Sequence, residues 1–205
     1  MIRALISDLG NVLLHFDHRI IAQRLSEHFP HTPWNEEKEQ RFWTLVQEFE
    51  RGAAETDVFL REAGMLLDAP GQLDEEHFRM LWGDIFWLNE EYLALMRDVK
   101  SSLRLVMLSN TNPMHIAYAR ERFPEVFAPF DEQVFSYDTG FVKPAPGIFH
   151  EALRRAGVPA DQALYFDDIA AYVDAASALG LHAYQYVSVQ GVRDILNMYN
   201  VPLGT

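Results

Sequence analysis

The 205-residue sequence contains no cysteine. This absence excludes disulfide bonds, thiolate nucleophiles and zinc sites with cysteine ligands. No apolar run approaches the ~20 residues that span a bilayer, and Asp8 interrupts the N-terminal apolar run too early for a cleavable signal peptide. Internal repeats and low-complexity linkers are also absent. We therefore expect a cytoplasmic protein without a membrane partner.

Basic residues are scarce, with 17 Lys and Arg against 30 Asp and Glu, which gives a net charge of −13. Nucleic acids and anionic membranes need a basic face, so the charge argues against both as partners. An anionic small molecule is not excluded, because one lysine or a metal ion can reverse the field inside a pocket. The length suits one core domain, alone or with a small attached domain.

The N-terminal stretch predicts a central strand that ends in a reactive position. The apolar run Ala4-Leu5-Ile6 leads into Asp8, and the turn Leu9-Gly10-Asn11 follows before a second apolar run. A short apolar run bounded by a turn is typical of a buried parallel strand. Asp8 is therefore predicted at the carboxyl end of that strand, where open α/β sheets bind ligands.

The second half of the chain alternates between strand and helix patterns, which predicts an α/β fold with a Rossmann-like, doubly wound parallel sheet. The predicted strands are Leu103–Leu108, Gln133–Ser136, Ala163–Phe166 and His182–Val187. The predicted helices are Glu90–Lys100, Met114–Phe123, Pro146–Ala156 and Ala170–Leu179.

Residues 18–87 show helical spacing without a strand signal, so we expect four helices that form a small insert after the first strand. Residues 1–17 and 88–205 would form the α/β core. Asn35 and Thr56 are predicted to cap two of the helices. The insert is rich in aromatic side chains, most of which are expected in its core: Trp34, Phe42, Trp43, Phe49, Phe59, Phe78, Trp82, Phe86 and Trp87. These side chains could also line a pocket or form an interface between subunits, and the sequence does not decide among these roles.

Polar residues stand at or just after four predicted strands: Asp8, Ser109-Asn110, Lys143 and Asp167-Asp168. Each alone is explained at least as well, and the lone aspartate better, as a cap, a turn or a solvated loop residue. In a parallel sheet, however, these ends share one edge. Three carboxylates at one edge need a cation, and oxygen ligands without cysteine favour Mg²⁺. A lysine and a hydroxyl beside a metal suit phosphoryl transfer, with one aspartate as a nucleophile.

Four segments resemble, in order, the motifs of the haloacid dehalogenase-like (HAD) hydrolase superfamily: DLGNV at 8–12, LSNT at 108–111, GFVKP at 140–144 and FDD at 166–168. The resemblance covers the whole chain and implies that the helical insert is a cap of the C1 type. The residues of these motifs are similar to those of a subgroup of sugar-phosphate phosphatases typified by α-D-glucose-1-phosphate phosphatase. It is also similar to the N-terminal phosphatase domain of bifunctional epoxide hydrolases. In receiver domains, by contrast, the acidic pair comes first.

The resemblance implies that Asp8 is a nucleophile that becomes an aspartyl-phosphate. It further implies that Ser109 and the backbone amide of Asn110 hold the phosphoryl oxygens. Lys143 would bridge Asp8 and the phosphate and offset the charge of the transition state.

The resemblance also implies a Mg²⁺ site made by Asp8, Asp168 and the carbonyl of Gly10. Asp167 would not bind the metal directly but would orient the residues that do, because neighbouring groups fix the orientation of metal ligands. In the cap, Arg51 is a candidate for contacting the hydroxyls or phosphate of the substrate. A solvated arginine at the end of a helix is the alternative.

Two positions depart from the motifs. Most phosphatases of the superfamily carry a second aspartate, a general acid and base, where this chain has Gly10. His15 and Asp17 are candidate replacements. Tyr172 stands where an asparagine is common in the subgroup, which leaves one hydrogen bond near the acidic pair in question.

The predicted function is hydrolysis of a small phosphorylated metabolite, with sugar phosphates among the candidates, by a Mg²⁺-dependent phosphatase. One alternative is a dehalogenase, which needs no metal and would gain nothing from Asp167-Asp168. Another is a catalytically weak or inactive module that binds phosphate, which Gly10 and Tyr172 would favour. The sequence leaves the oligomeric state open.

Overall fold

The computed structural model describes residues 1–32 and 35–204, so Trp34 of the predicted aromatic set lies outside the described residues. The strands are β1 (Ala4–Ser7), β2 (Leu14–Phe16), β3 (Phe86–Leu88), β4 (Arg104–Ser109), β5 (Glu132–Phe135), β6 (Ala163–Asp167) and β7 (His182–Gln185). The helices are α1 (His18–His28), α2 (Glu36–Glu50), α3 (Thr56–Leu66), α4 (Glu75–Gly83), α5 (Glu90–Val99), α6 (Pro113–Arg122), α7 (Ser136–Thr139), α8 (Pro146–Ala156), α9 (Ala170–Ala178) and α10 (Val189–Met198).

A five-stranded sheet with the order β5-β4-β1-β6-β7 forms the centre of the fold, and all its pairs are parallel. Strand β1 lies in the middle, where Ser7 is in register with Met107 of β4 and Phe166 of β6. Because the strands run in one direction, β1, β4 and β6 end at the same edge. The predicted α/β fold with a parallel sheet is confirmed.

Helices cover both faces of this sheet. Successive side chains of a strand point to opposite faces, so Leu5 packs in one apolar cluster with Tyr92 of α5 and Leu196 of α10. Ile6 packs in the other cluster with Phe149 of α8. Both strand residues are fully buried, as expected for a central strand between two helical layers.

Helices α1 to α4 form a second apolar core of their own, around Phe59, Phe78 and Trp82. Of the predicted aromatic core residues, Trp43 and Trp87 are instead exposed. The assignment of residues 18–87 to a cap stays a prediction, and this separate core supports it.

A short antiparallel ribbon of β2 and β3 connects the helical insert to the sheet, with Leu14 opposite Leu88. The expectation that residues 18–87 contain no strand was therefore wrong at its end, where Phe86 begins β3. Three-residue strands are too short to show an alternating pattern. The Phe86 ring meets the ring of Phe16 edge-on at 6.1 Å, so packing holds the ribbon together.

Several helix ends differ from the prediction. Asn35 caps α2 through Lys38 N, as predicted, but Thr56 is the first helical residue of α3, and Glu55 precedes it without a side-chain cap. Helix α10 was not predicted, although Val192 and Leu196 are buried at helical spacing. In the described ranges, no helix is long and apolar enough to cross a bilayer.

Gly52, just after α2, ties the insert to the core. Its φ is +70°, and a Cβ there would overlap the carbonyl oxygen of Tyr137 in α7. Gly71 has a similar φ of +69° but open space around it. An alanine at Gly71 would therefore test backbone strain alone, whereas an alanine at Gly52 would add the overlap with Tyr137.

We expect Gly71→Ala to lower the melting temperature by the cost of a left-handed alanine alone, about 1–2 kcal/mol, or roughly 2–8 °C in a chain of this size. Gly52→Ala should lower it at least twice as much, because the overlap with Tyr137 is added. Differential scanning calorimetry measures both values. Equal shifts in melting temperature would show that the close approach of Gly52 to Tyr137 does not contribute to stability.

Candidate active site

Asp8 follows β1 directly and is 6% exposed. Its Oδ1 accepts a hydrogen bond from Leu9 N at 2.7 Å and lies 2.8 Å from the Nζ of Lys143. Burial raises the pKa of Asp8 to about 7, although the Lys143 ammonium acts in the opposite direction. The carboxylate is thus fixed in orientation at the strand end where the sequence predicted it.

Lys143 reaches the same point from the loop after α7. Its Nζ lies 2.6 Å from Asp167 Oδ2 as well as beside Asp8, and all three side chains are buried. Burial alone would lower the pKa of Lys143, but the two carboxylates outweigh it and raise the pKa. The positive charge of Lys143 is therefore paired with two carboxylates, one directly after β1 and one at the end of β6.

Asn110 holds the backbone of Lys143 in place. Lys143 N donates to Asn110 Oδ1 at 2.7 Å, and Asn110 Nδ2 donates to the Lys143 carbonyl at 3.1 Å. The amide of Asn110 also reaches the hydroxyl of Tyr172 at 3.4 Å, and the Tyr172 ring lies 5.1 Å from Lys143 Nζ. The Tyr172 ring thus lies over the ammonium group that is paired with Asp8.

Asp8, Asp167 and Asp168 each offer a carboxylate oxygen within 4.8 Å of the others. Asp167 is fully buried, and its oxygens accept from Lys143, from the Tyr165 hydroxyl and from Ile169 N. Asp168 is less buried, and burial together with the charge of Asp167 raises its pKa. Three carboxylates against one ammonium leave an excess of negative charge. An oxygen-only donor set of this charge fits a divalent cation such as Mg²⁺.

A cavity of about 70 Å³ opens against the motif residues Gly10, Ser109 and Asn110. Its other walls include Phe16, His18, Glu50, Phe86 and His115. The structure therefore brings Ser109 and Asn110 to one cavity beside the strand that carries Asp8. Arg51 is exposed and is not among the residues lining this cavity. Its contact with a substrate stays a prediction, while its neighbour Glu50 does line the cavity.

The ring of Phe16 explains the glycine at position 10. A Cβ on Gly10 would lie 2.9 Å from Phe16 Cε1, which is too close for two carbon atoms. An acidic side chain at position 10 would need this aromatic wall to move. The sequence showed the missing carboxylate but not what occupies its place.

Neither candidate replacement for that carboxylate is a plausible proton donor in this geometry. Asp17 caps α1 through Arg19 N and forms an ion pair with Arg19 at 2.6 Å. These contacts lower the pKa of Asp17 to about 2, so it is ionised at neutral pH. His15 alternates with Leu14 and Phe16, which line the cavity, and its ring instead lies 6.0 Å from that of Trp87. Neither Asp17 nor His15 lines the cavity, so the geometry does not support either residue as the replacement.

Two histidines of the cavity wall were not singled out in the sequence. Burial lowers the pKa of His115 to about 3, and its Nδ1 lies 3.1 Å from the side-chain amide of Asn112. Burial also lowers the pKa of His18, whose ring lies 4.6 Å from that of Phe16. Neither histidine belongs to a motif, and their positions in the cavity wall depend on how the insert packs over the sheet, so the sequence did not indicate them.

A family model described as haloacid dehalogenase-like hydrolase matches residues 2–180. The chain belongs to the haloacid dehalogenase-like hydrolases. It is therefore a member of an enzyme family, as the four motifs predicted, and the family accounts for both the sheet and the positions of the motifs.

Among related proteins, a D-ribitol-5-phosphate phosphatase of Bacteroides thetaiotaomicron is 28% identical over 149 residues, which cover 69% of this chain and 70% of that protein. A HAD family enzyme of the same organism, solved with magnesium and inorganic phosphate, has a TM-score of 0.80 at 22% identity, covering 92% of this chain and 96% of that one. A predicted HAD-like hydrolase of Porphyromonas gingivalis has a TM-score of 0.82 at 23% identity, covering 96% and 98%. These structural likenesses concern the fold.

We expect Lys143→Met to destabilise the metal-free protein by about 3–5 kcal/mol at pH 8, because buried carboxylates lose their counter-charge. Lys100→Met is the matched control, since Lys100 pairs with the partly exposed Asp131 at 2.5 Å and should cost less than about 1 kcal/mol. Urea unfolding in EDTA measures both. Similar losses for the two variants would contradict a buried ion-pair network.

Glu50 gives a prediction about pH, because burial raises the pKa of its carboxyl from 4.5 to about 7. Between these values the folded protein keeps a proton that the unfolded chain releases, so stability falls as the pH rises through this window. Glu50→Gln should therefore stabilise the protein at pH 8, by an amount of the order of 1–3 kcal/mol, and not at pH 4. The exposed Glu48→Gln on the same helix is the control in urea unfolding. A gain that is equal at both pH values would argue against a buried carboxylate.

Proposed function

We propose that the protein is a Mg²⁺-dependent phosphomonoesterase that hydrolyses a small phosphate ester through an aspartyl-phosphate on Asp8. The observation that carries this proposal is the buried Asp8 carboxylate, 2.8 Å from Lys143 and clustered with two further aspartates. A carboxylate held in this way keeps one fixed orientation toward a phosphorus atom. Nucleophilic catalysis by aspartate divides a difficult hydrolysis into two easier displacements.

In the first displacement, an Asp8 oxygen bonds to phosphorus while the bond to the ester oxygen breaks. Lys143 offsets the growing negative charge. Ser109 and the backbone amide of Asn110 would bind the phosphoryl oxygens beside the cavity that they line. In the second displacement, water attacks phosphorus and releases inorganic phosphate and the Asp8 carboxylate.

The metal would be held by Asp8, Asp168 and the Gly10 carbonyl, with Asp167 supporting them. When bound, Mg²⁺ neutralises charge on the phosphate and on the clustered carboxylates. The crystallised relative with magnesium and inorganic phosphate supports this assignment. A dehalogenase would leave the acidic cluster without a use, so the geometry favours the phosphatase.

For the substrate, we propose the phosphate ester of a small polyhydroxyl compound. The relative that acts on D-ribitol 5-phosphate supports this class, and the cavity of about 70 Å³ suits a small leaving group. We also propose that the reaction takes place in the cytoplasm.

We expect the protein to hydrolyse p-nitrophenyl phosphate with Mg²⁺ and to lose this activity in EDTA. Asp8→Asn should reduce turnover to background while the protein remains folded by circular dichroism, because the nucleophile is gone. Asp17→Asn is the matched control, since asparagine also caps helices well and Asp17 lies outside the cavity lining. A folded, metal-loaded wild type without turnover would favour a module that only binds phosphate.

A further inference from the structure

Glu50 places an unpaired acid in the proposed catalytic cavity. It is the last residue of α2 and lines the same cavity as Ser109 and Asn110. Within residues 1–32 and 35–204, its carboxyl group forms no hydrogen bond or ion pair, in contrast to Asp17, which is paired with Arg19. Partial burial disfavours the charged form of this acid and raises its pKa.

The position of Glu50 is fixed from both sides. Phe49 is 1% exposed, and its ring stacks on that of Phe59 at 4.3 Å. Gly52 lies directly against the carbonyl of Tyr137 in the core. These neighbours hold the end of α2 over the edge of the sheet, so Glu50 faces the space next to the phosphate-binding residues.

In the proposed reaction the leaving group of a phosphate ester would occupy this space, because the cavity opens directly against Ser109 and Asn110. An alkoxide is a poor leaving group unless a proton reaches its oxygen as the bond breaks. Position 10 offers no acid, and the Phe16 ring fills the place of a side chain there. The proton must therefore come from another wall of the cavity.

The other titratable groups around this space suit the task less well. His115 and His18 also line the cavity, but burial lowers the pKa of both, so they are neutral at pH 7. Asp8 is committed as the nucleophile, and Lys143 is held by two carboxylates. Burial raises the pKa of Glu50 to about 7, where a general acid can both give and take a proton.

We propose that Glu50, carried by the helical insert, is the general acid and base of the reaction. This inference rests on the proposed phosphatase function. As Asp8 bonds to phosphorus and the P–O bond breaks, the protonated Glu50 transfers its proton to the leaving oxygen, which departs as an alcohol. The Glu50 carboxylate then takes a proton from the water that attacks phosphorus, and the Asp8 carboxylate and inorganic phosphate are released.

The test compares two esters of similar shape, phenyl phosphate and p-nitrophenyl phosphate, in the Mg²⁺-loaded protein. Phenolate is more basic than p-nitrophenolate and is the poorer leaving group, so its departure gains more from a proton. Glu50→Gln should lower kcat/KM for phenyl phosphate by about 10²–10⁴-fold and change that for p-nitrophenyl phosphate by less than about tenfold. Glu48→Gln, an exposed change in the same helix, should leave both unchanged.

The pH profile provides a second readout. For phenyl phosphate, wild-type kcat/KM should fall above about pH 7 as Glu50 loses its proton, and this fall should be absent in Glu50→Gln. Equal losses for the two esters, or no loss, would overturn the role of Glu50. Retained hydrolysis of p-nitrophenyl phosphate shows that the variant is folded. A wild type inactive toward both esters would instead overturn the proposed phosphatase function.

Discussion

The ion pair between the Lys143 ammonium and the carboxylates of Asp8 and Asp167 is the interaction on which the site depends. Charges buried this deeply cost several kcal/mol each unless partners replace the lost water. The fold supplies those partners through Asn110, which clamps the Lys143 backbone, and Ile169 N, which binds Asp167. The remaining negative charge of the cluster attracts a cation, and that cation together with Lys143 would offset the charge of a phosphate bound beside the carboxylates.

The parallel sheet makes this arrangement possible. Asp8 and Asp167 come from neighbouring strands in register, and Asn110 follows the strand on the other side of β1. Apolar layers on both faces exclude water from the strands, so the polar groups are concentrated at the edge where the strands end. The same geometry that buries the core therefore places the reactive groups next to each other.

The part of the site contributed by strand ends could be predicted from sequence, because apolar runs and the turns after them are local signals. Asp8 and Asp168 were found in this way, whereas Lys143 lies in the loop after α7, and the family resemblance assigned the roles of all three. Phe16, His115 and the orientation of Glu50 could not be predicted, since they depend on how the insert docks on the sheet. The β2–β3 ribbon escaped detection for a related reason, because its short strands are stabilised by contacts distant in sequence, such as Phe16 with Phe86.

The Phe16 ring lies against Gly10, a residue of the first motif, and forms part of the cavity wall. A side chain at position 10 would require this ring to move, and Glu50 of the insert is the acid that we propose in place of a carboxylate there. The raised pKa of the half-buried Glu50 lowers stability at neutral and higher pH, and its carboxyl group forms no hydrogen bond or ion pair in the described residues that compensates for this. A purely structural position would tolerate glutamine or an apolar side chain better. An ionisable group at this position is what the proposed proton transfer requires.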